Sequence, residues 1–330
     1  MKQGKLTNAQ LKRLVIDQIV PQNAETVLGA GVGEDCCAIK IEDGLCVVST
    51  DPITAGGAQT GTLAIHINAN DVASAGARPM SALVTLLVPP TDTKEDIAAI
   101  MDQLSTTARS LGIDIIGGHT EVTEAVNRMV VSVTMIGIPV IPGKVFKTAD
   151  MQVGDDILMT KFAGLEGTSI LASEFASELK EDFFYDDVLQ VEKIKSMFSV
   201  VPDGLVAAQI PGVSAMHDIT EGGVIGAVCE MCTASGVGAE VDLSKVPILS
   251  ATSKVCKRYG LDVYGLLSSG SMLIAAQNGE RVAQKLAQKG IFTTVIGKAT
   301  KQRNVYDVTG GEKRKLVPYQ ADQIFKALER

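Results

Sequence analysis

Between residues 29 and 71 the chain repeats one combination, an acidic side chain beside glycines or at the boundary of a regular element, and this restricts the fold more than any other feature. The segments are GAGVGEDCCAI (29–39), LCVVSTDP (45–52) and HINANDVASAGARP (66–79), and they carry Asp35, Asp51 and Asp71. Glycine lets backbone N–H groups approach an anion closely, and hard divalent cations take oxygen ligands, so such a set suits phosphates bridged by cations. It implies a nucleoside triphosphate with magnesium on a chain that alternates strands and helices. Taken singly, the glycine run also describes a surface turn, and Asp51 at the end of a strand also describes a cap or turn residue. His66, Asn70 and Asp71 on a helix over 62–75 also describe a buried hydrogen-bond network, until Asp35 and Asp51 are added.

Neither common phosphate loop is present. Gly29, Gly31 and Gly33 are followed by Glu34 rather than completing G-x-G-x-x-G, and G-x-x-x-x-G-K-[ST] does not occur. With 330 residues the chain exceeds one ordinary core, so two domains are expected, and 46% hydrophobic residues with 32 glycines fit a glycine-dense α/β enzyme. A net charge of −8 argues against non-specific binding to nucleic acid or anionic membrane. No apolar run is long enough to span a bilayer and the opening residues lack a secretory core, so a cytoplasmic protein is expected. Cys229 and Cys232 form a CxxC inside an apolar helical pattern with no second pair at zinc spacing, which reads as core rather than redox or metal chemistry.

Along the chain, Thr7 and Gln10 form a capping box for a helix over 8–20 that Pro21 stops. A strand over 45–50 ends at Asp51, and a second helix spans about 93–111. The strand after it reaches Gly117 and Gly118, leaving His119, Thr120 and Glu121 as a second polar strand end. Residues 129–138 alternate as a half-buried strand. The segment 139–156 is rich in proline and glycine, and the domain boundary is set there, near residue 148. Beyond it come a strand over 157–161, a glycine turn opening a helix at 164–170, and a charged segment over 178–187. Residues 215–231 then form a polar turn with His217, Asp218 and Glu221 before a helix. A tight turn at Ser268–Gly270 precedes a strand, and YQADQIFKALER reads as an amphipathic helix.

Read together, GVGEDCCAI, VVSTDP, NANDVASAGARP, GGHTEV, MHDITEGGVIGAV and YGLLSSGSMLIA resemble the aminoimidazole ribonucleotide synthetase (PurM-like) superfamily, most of all its HypE-type hydrogenase maturation branch. The resemblance implies an α/β (α+β) protein of two domains, 1–148 and 149–330. The first would bind ATP and Mg2+ and form a barrel-like sheet across a homodimer. By position, the resemblance makes Asp35, Asp51 and Asp71 the metal ligands, with Asn70 beside them. Gly29, Gly31 and Gly33 would cover phosphates, and Gly117, Gly118 and His119 would complete the cofactor site. His217, Asp218, Glu221 and Glu121 would border the acceptor, with His217 and Glu221 as proton-transfer groups.

Two departures stand out. The position after the paired glycines is usually acidic in relatives and is His119 here, with Glu121 as the nearest substitute. HypE proteins end in a cysteine that carries the carbamoyl group they dehydrate, and this sequence ends in KALER, which points to a separate carrier protein or a small molecule as acceptor. The expected activity is ATP-dependent phosphorylation of an amide- or carbamoyl-type oxygen. A kinase of the thiamine-monophosphate type and a non-catalytic nucleotide-binding subunit are the alternatives.

Overall fold

The alternating apolar segments assemble into two separate sheets, described by a computed structural model over residues 7–19, 23–42, 44–53 and 57–329. The first sheet contains β1 (Thr26–Leu28), β2 (Cys37–Ile41), β3 (Gly44–Ile53), β4 (Ala77–Val88), β5 (Asp114–Val122) and β6 (Val130–Pro139), in the order β1-β2-β3-β6-β4-β5. The second contains β7 (Asp156–Thr160), β8 (Val213–Ile219), β9 (Gly238–Val241), β10 (Ser271–Ala276), β11 (Thr293–Thr300), β12 (Val305–Asp307) and β13 (Arg314–Lys315). Its order is β13-β12-β9-β11-β7-β10-β8. Two-domain mixed α/β architecture follows from this division.

The first half carries α1 (Asn8–Leu14), α2 (Thr60–Ser74) and α3 (Lys94–Ser110). The second carries α4 (Leu165–Glu174), α5 (Ala176–Leu179), α6 (Tyr185–Ile194), α7 (Val201–Ala207), α8 (Gly223–Ser235), α9 (Ser250–Tyr259), α10 (Gly279–Ala287) and α11 (Phe325–Leu328). Helix α2 is apolar on nearly every side because it is covered on nearly every side: it packs on β3, β4, β6 and α3, and across to α7 and β8 of the second half. A polar residue on α2 therefore lies in a junction with little water, and its partners must come from the protein.

Local signals match local structure. Thr7 and Thr93 each make the reciprocal bonds of a capping box, and β6 buries every second side chain from Val131 to Met135 against α2. Residues 20–22, including the helix stop expected at Pro21, lie outside the described residues; before them α1 ends at Leu14 and one 3-10 turn follows. Three expectations are corrected. Strand β3 continues past Asp51 to Ile53, because β6 pairs with it through Ile53, so Asp51 sits within a strand opposite Val133. Strand β5 likewise continues through His119 and Glu121 to Val122, held along its length by β4. The C-terminal segment is helical only over α11, because Asp322 and Gln323 direct their side chains to distant backbone groups.

Candidate functional site at the junction of the two halves

Strand β3 and helix α2 bring the first carboxylates together. Ser49 and Asp51 point to the same side of β3, toward α2, as period-two alternation requires. The Ser49 hydroxyl donates to the carboxylate of Asp71, which is buried on α2. Asn68, one turn earlier, accepts from the Asp51 backbone N–H at 2.8 Å and donates to the Asp51 carbonyl at 3.3 Å, pinning that residue to the helix. Burial holds the Asp71 carboxyl well above the usual carboxylate range, and the charges of Asp218, Asp51 and Asp35 push it in the same direction. Four carboxylates, from three elements and the loop before β2, thus lie within electrostatic reach of one another.

Strand β8 supplies the opposite wall. His217 is 4% exposed, with Nδ1 2.8 Å from Asp35 and Nε2 3.2 Å from Glu230 of α8. Burial opposes a charge on this imidazole, but the two carboxylates outweigh it and hold the pKa well above the ordinary histidine value. Both ring nitrogens are therefore donors near neutrality. His217, expected as a proton-transfer group, is engaged by a carboxylate at each ring nitrogen and orients Asp35. Ligand atoms of Asp35, His217 and Asp218 all lie within 4.8 Å of one another.

The loop carrying Gly29, Gly31 and Gly33 runs between β1 and β2 and rests on the second half, where Gly33 lies against Glu230 and Ala234 of α8. It is fastened by Glu34, whose carboxylate accepts from the backbone N–H groups of Thr148 and Ala149 at 3.3 and 3.2 Å. The neighbouring Cys36 thiol is pushed well up by burial and by the charges of Asp35 and Asp71.

Other expected site residues sit elsewhere. The Asn70 amide accepts from Val200 N–H at 2.7 Å and donates to the Phe198 carbonyl at 2.8 Å, so it ties the two halves together rather than facing the carboxylates. Gly117 and Gly118 serve the sheet. The register of β4 and β5 slips beside Gly117, and Gly118 has φ of 147° with the Val84 carbonyl only 1.8 Å from where a Cβ would stand. His119 and Glu121 are exposed on β5, 3.6 Å apart, three places from β3 in the sheet. Glu221 is exposed in the turn after β8. Cys229 and Cys232 are buried among apolar residues of α8, and burial pushes both thiols up to about 12, as expected of core cysteines.

Ser49, Asn68 and Glu230 were not singled out from the sequence. Ser49 was within reach, since it stands two residues before Asp51 on the same face of a strand. Glu230 carries no local signal, because its partner lies on another element.

The chain matches the N-terminal domain model of AIR synthase related proteins over residues 33–139 and the C-terminal domain model over 152–308. A protein of Methanocaldococcus jannaschii provisionally named for hydrogenase expression and formation is 28% identical over 309 residues, covering 88% of each chain. Carbamoyl dehydratase HypE of Escherichia coli is 30% identical over 251 residues, covering 75% of this chain and 70% of its own. The crystal structure of E. coli HypE superposes with a TM-score of 0.73 at 27% identity, covering 84% of this chain and 86% of that one. Matching both domain models in order, with the fold that HypE shares, the chain belongs to the family of AIR synthase related proteins.

Proposed function

We propose that the protein is an ATP-dependent enzyme of the HypE type, which phosphorylates an amide- or carbamoyl-type oxygen so that the oxygen leaves as phosphate, in hydrogenase maturation. The observation that carries this reading is the convergence of Asp35, Asp51, Asp71 and Asp218 on one junction, where burial first, and then repulsion by the other three carboxylates, raises the Asp71 pKa. A group of hard oxygen donors with excess negative charge, buried at Asp71 and Asp218 and open at Asp51, fits a divalent cation such as Mg2+. Asp35, Asp71 and Asp218 would hold it, with Asp51 at the edge. Bound there, the cation would supply charge neutralisation for a triphosphate.

The remaining roles belong to the chain itself. His217 and Glu230 keep Asp35 aimed at the junction, and Ser49 and Asn68 do the same for Asp71 and Asp51. The loop 29–33, fastened through Glu34, offers backbone N–H groups to phosphate. Asp218 is buried and Glu221, three residues on, is exposed in the turn after β8, where an acceptor would enter, and Glu221 would be the group that moves a proton.

The reading extends to a homodimer formed through the first sheet. Register puts Ile39, Leu83 and Ile138 on the face that α2 and α3 leave open, and these side chains are 40%, 40% and 47% exposed. Beside them β5 is the last strand of the sheet among the described residues, with Ile116 and Val122 exposed. An apolar open face next to such an edge calls for cover by a second sheet. Such an arrangement would bring His119 and Glu121 of one protomer toward the other, which gives them a role that their position within one protomer does not. We place the division between domains near residue 148, between the two sheets.

Incubation with Mg-ATP and a carbamoylated thiol peptide tests the reaction. The account expects ADP, phosphate and a product lighter by one water. A stable phosphorylated product would replace it with the kinase reading, and no ATP consumption with any acceptor would refute both.

A further inference from the structure

The C-terminal segment supplies a buried side chain that this reaction does not otherwise use. The Asp322 carboxylate accepts from Gly222 N–H at 2.7 Å through Oδ2, and from Leu267 and Ile324 N–H at 3.2 and 2.8 Å through Oδ1. Gly222 belongs to the turn after β8 and Leu267 to the turn before β10. These strands are antiparallel neighbours with Ile219 opposite Ser271, so both turns leave the sheet at the same end. The junction extends further: Ser268 N–H donates to the Thr220 carbonyl at 3.4 Å, and Gly164 N–H donates to the Ser268 hydroxyl at 2.7 Å.

The segment that carries Asp322 is itself fixed. The Tyr319 hydroxyl donates to the Asp262 carboxylate, Gln323 exchanges bonds with Asp262 N–H and the Gly265 carbonyl, and Ile324 and Ala327 are buried beside Leu266 and Leu267. The turn it grips is built on paired glycines. Gly222 and Gly223 follow one another with φ of 83° and 60°, a backbone conformation that glycine adopts without a Cβ penalty. A carboxylate on backbone N–H groups makes stronger bonds than a neutral acceptor, and it stands at the N-terminal end of α8, where negative charge is favoured.

We propose that Asp322 is a positioning residue, which locks the turn bearing Glu221 to the turn at Leu267–Gly270 and so holds the acceptor side of the site in its working geometry. The proposal rests on the ATP-dependent reading above, and it adds to that reading a residue far from the glycine-rich motifs.

The test compares the 330-residue wild type with D322A and D322N, by backbone hydrogen–deuterium exchange and by steady-state ATP turnover. Asparagine keeps an acceptor for Leu267 and turns an NH2 group toward Gly222. D322N should therefore raise exchange at Gly222 and Gly223 alone, whereas D322A should raise it at Leu267 as well. Both variants should lower kcat about ten- to a hundredfold, as expected when a reacting geometry is loosened. The KM for ATP should stay within about twofold, since nucleotide binding is not what Asp322 serves.

Unchanged exchange at Gly222 in both variants would overturn the clamp whether or not the wild type turns over ATP. Raised local exchange with unchanged kcat would overturn the positioning role. Raised exchange spreading to β4 would also overturn it, by revealing a general loss of structure. A wild type inert toward ATP would refute the nucleotide reading and the catalytic half of this proposal, while the exchange data would still decide whether the clamp exists.

Discussion

His217 shows how far a single side chain's surroundings can change its chemistry. Imidazole near neutrality is ordinarily a proton carrier, but here burial is overridden by Asp35 and Glu230 and the ring is held charged. The stability consequence has a definite sign. A histidine whose folded pKa is raised stabilises the protein fully below its unfolded pKa of about 6.5, and the contribution fades as pH rises through the elevated folded value. In metal-free protein, E230Q should therefore cost about 2 kcal/mol at pH 6, typical of a hydrogen bond to a charged group. The gap between variant and wild type in urea denaturation should narrow in alkaline buffer. A gap that widens with pH would contradict a charged His217.

Gly117 and Gly118 make a second contrast at this scale, since the two look alike in sequence. An alanine at 117 would meet only Leu83 Cδ2 at 3.4 Å, whereas one at 118 would collide with the Val84 carbonyl in a left-handed conformation. G118A should lose about 3 kcal/mol or more and G117A less than about 1 kcal/mol, read from denaturation midpoints. Equal effects would mean that the pair serves a ligand rather than the sheet.

At the scale of elements, what could be read from the sequence was what local rules decide. The capping box at Thr7, the helix that begins near Thr93, the alternation of β6 and the strand-to-helix turn after His217 follow from neighbouring residues, and the structure has them. The carboxylates were legible as a set because glycine and acid recur together along one stretch. Their partners were not. Glu230 meets His217 from a helix whose pattern reads only as core, and Asn70, adjacent to Asp71 in sequence, turns away to clamp Phe198 and Val200. The final segment was misread for the same reason. Its amphipathic spacing is real, but Asp322 and Gln323 spend their side chains on remote backbone groups, and the backbone follows them out of the helix. N70A, which removes two bonds between the halves, should cost about 2 to 4 kcal/mol. It should lower the unfolding midpoint without altering the His217 pH dependence, and a change in that dependence would place Asn70 inside the carboxylate cluster.

At the scale of the whole molecule, the two sheets enclose a junction in which neither half has a complete set of groups. Asp35, Asp51 and Asp71 come from the first half and His217, Asp218 and Glu230 from the second, with α2 between them. The open face of the first sheet belongs to this scale too. A charge at its centre, L83D, should convert a dimer to a monomer in light scattering coupled to size exclusion. A wild type that is already monomeric would remove the assembly from the account.

The central claim is that a divalent cation relieves the cost of burying the Asp71 carboxylate beside Asp218, Asp51 and Asp35. Asp71 tests it most directly, because its raised pKa means that its charge opposes folding at neutral pH and that stability grows as pH falls from the raised value toward 3.8. Thermal melts of wild type and D71N at pH 7, each with EDTA and with Mg2+ plus a non-hydrolysable ATP analogue, separate the alternatives. The account predicts that D71N melts higher than wild type in EDTA and gains little from the nucleotide and metal, whereas wild type gains strongly. A D71N variant that is less stable in EDTA and keeps the full ligand shift would contradict it.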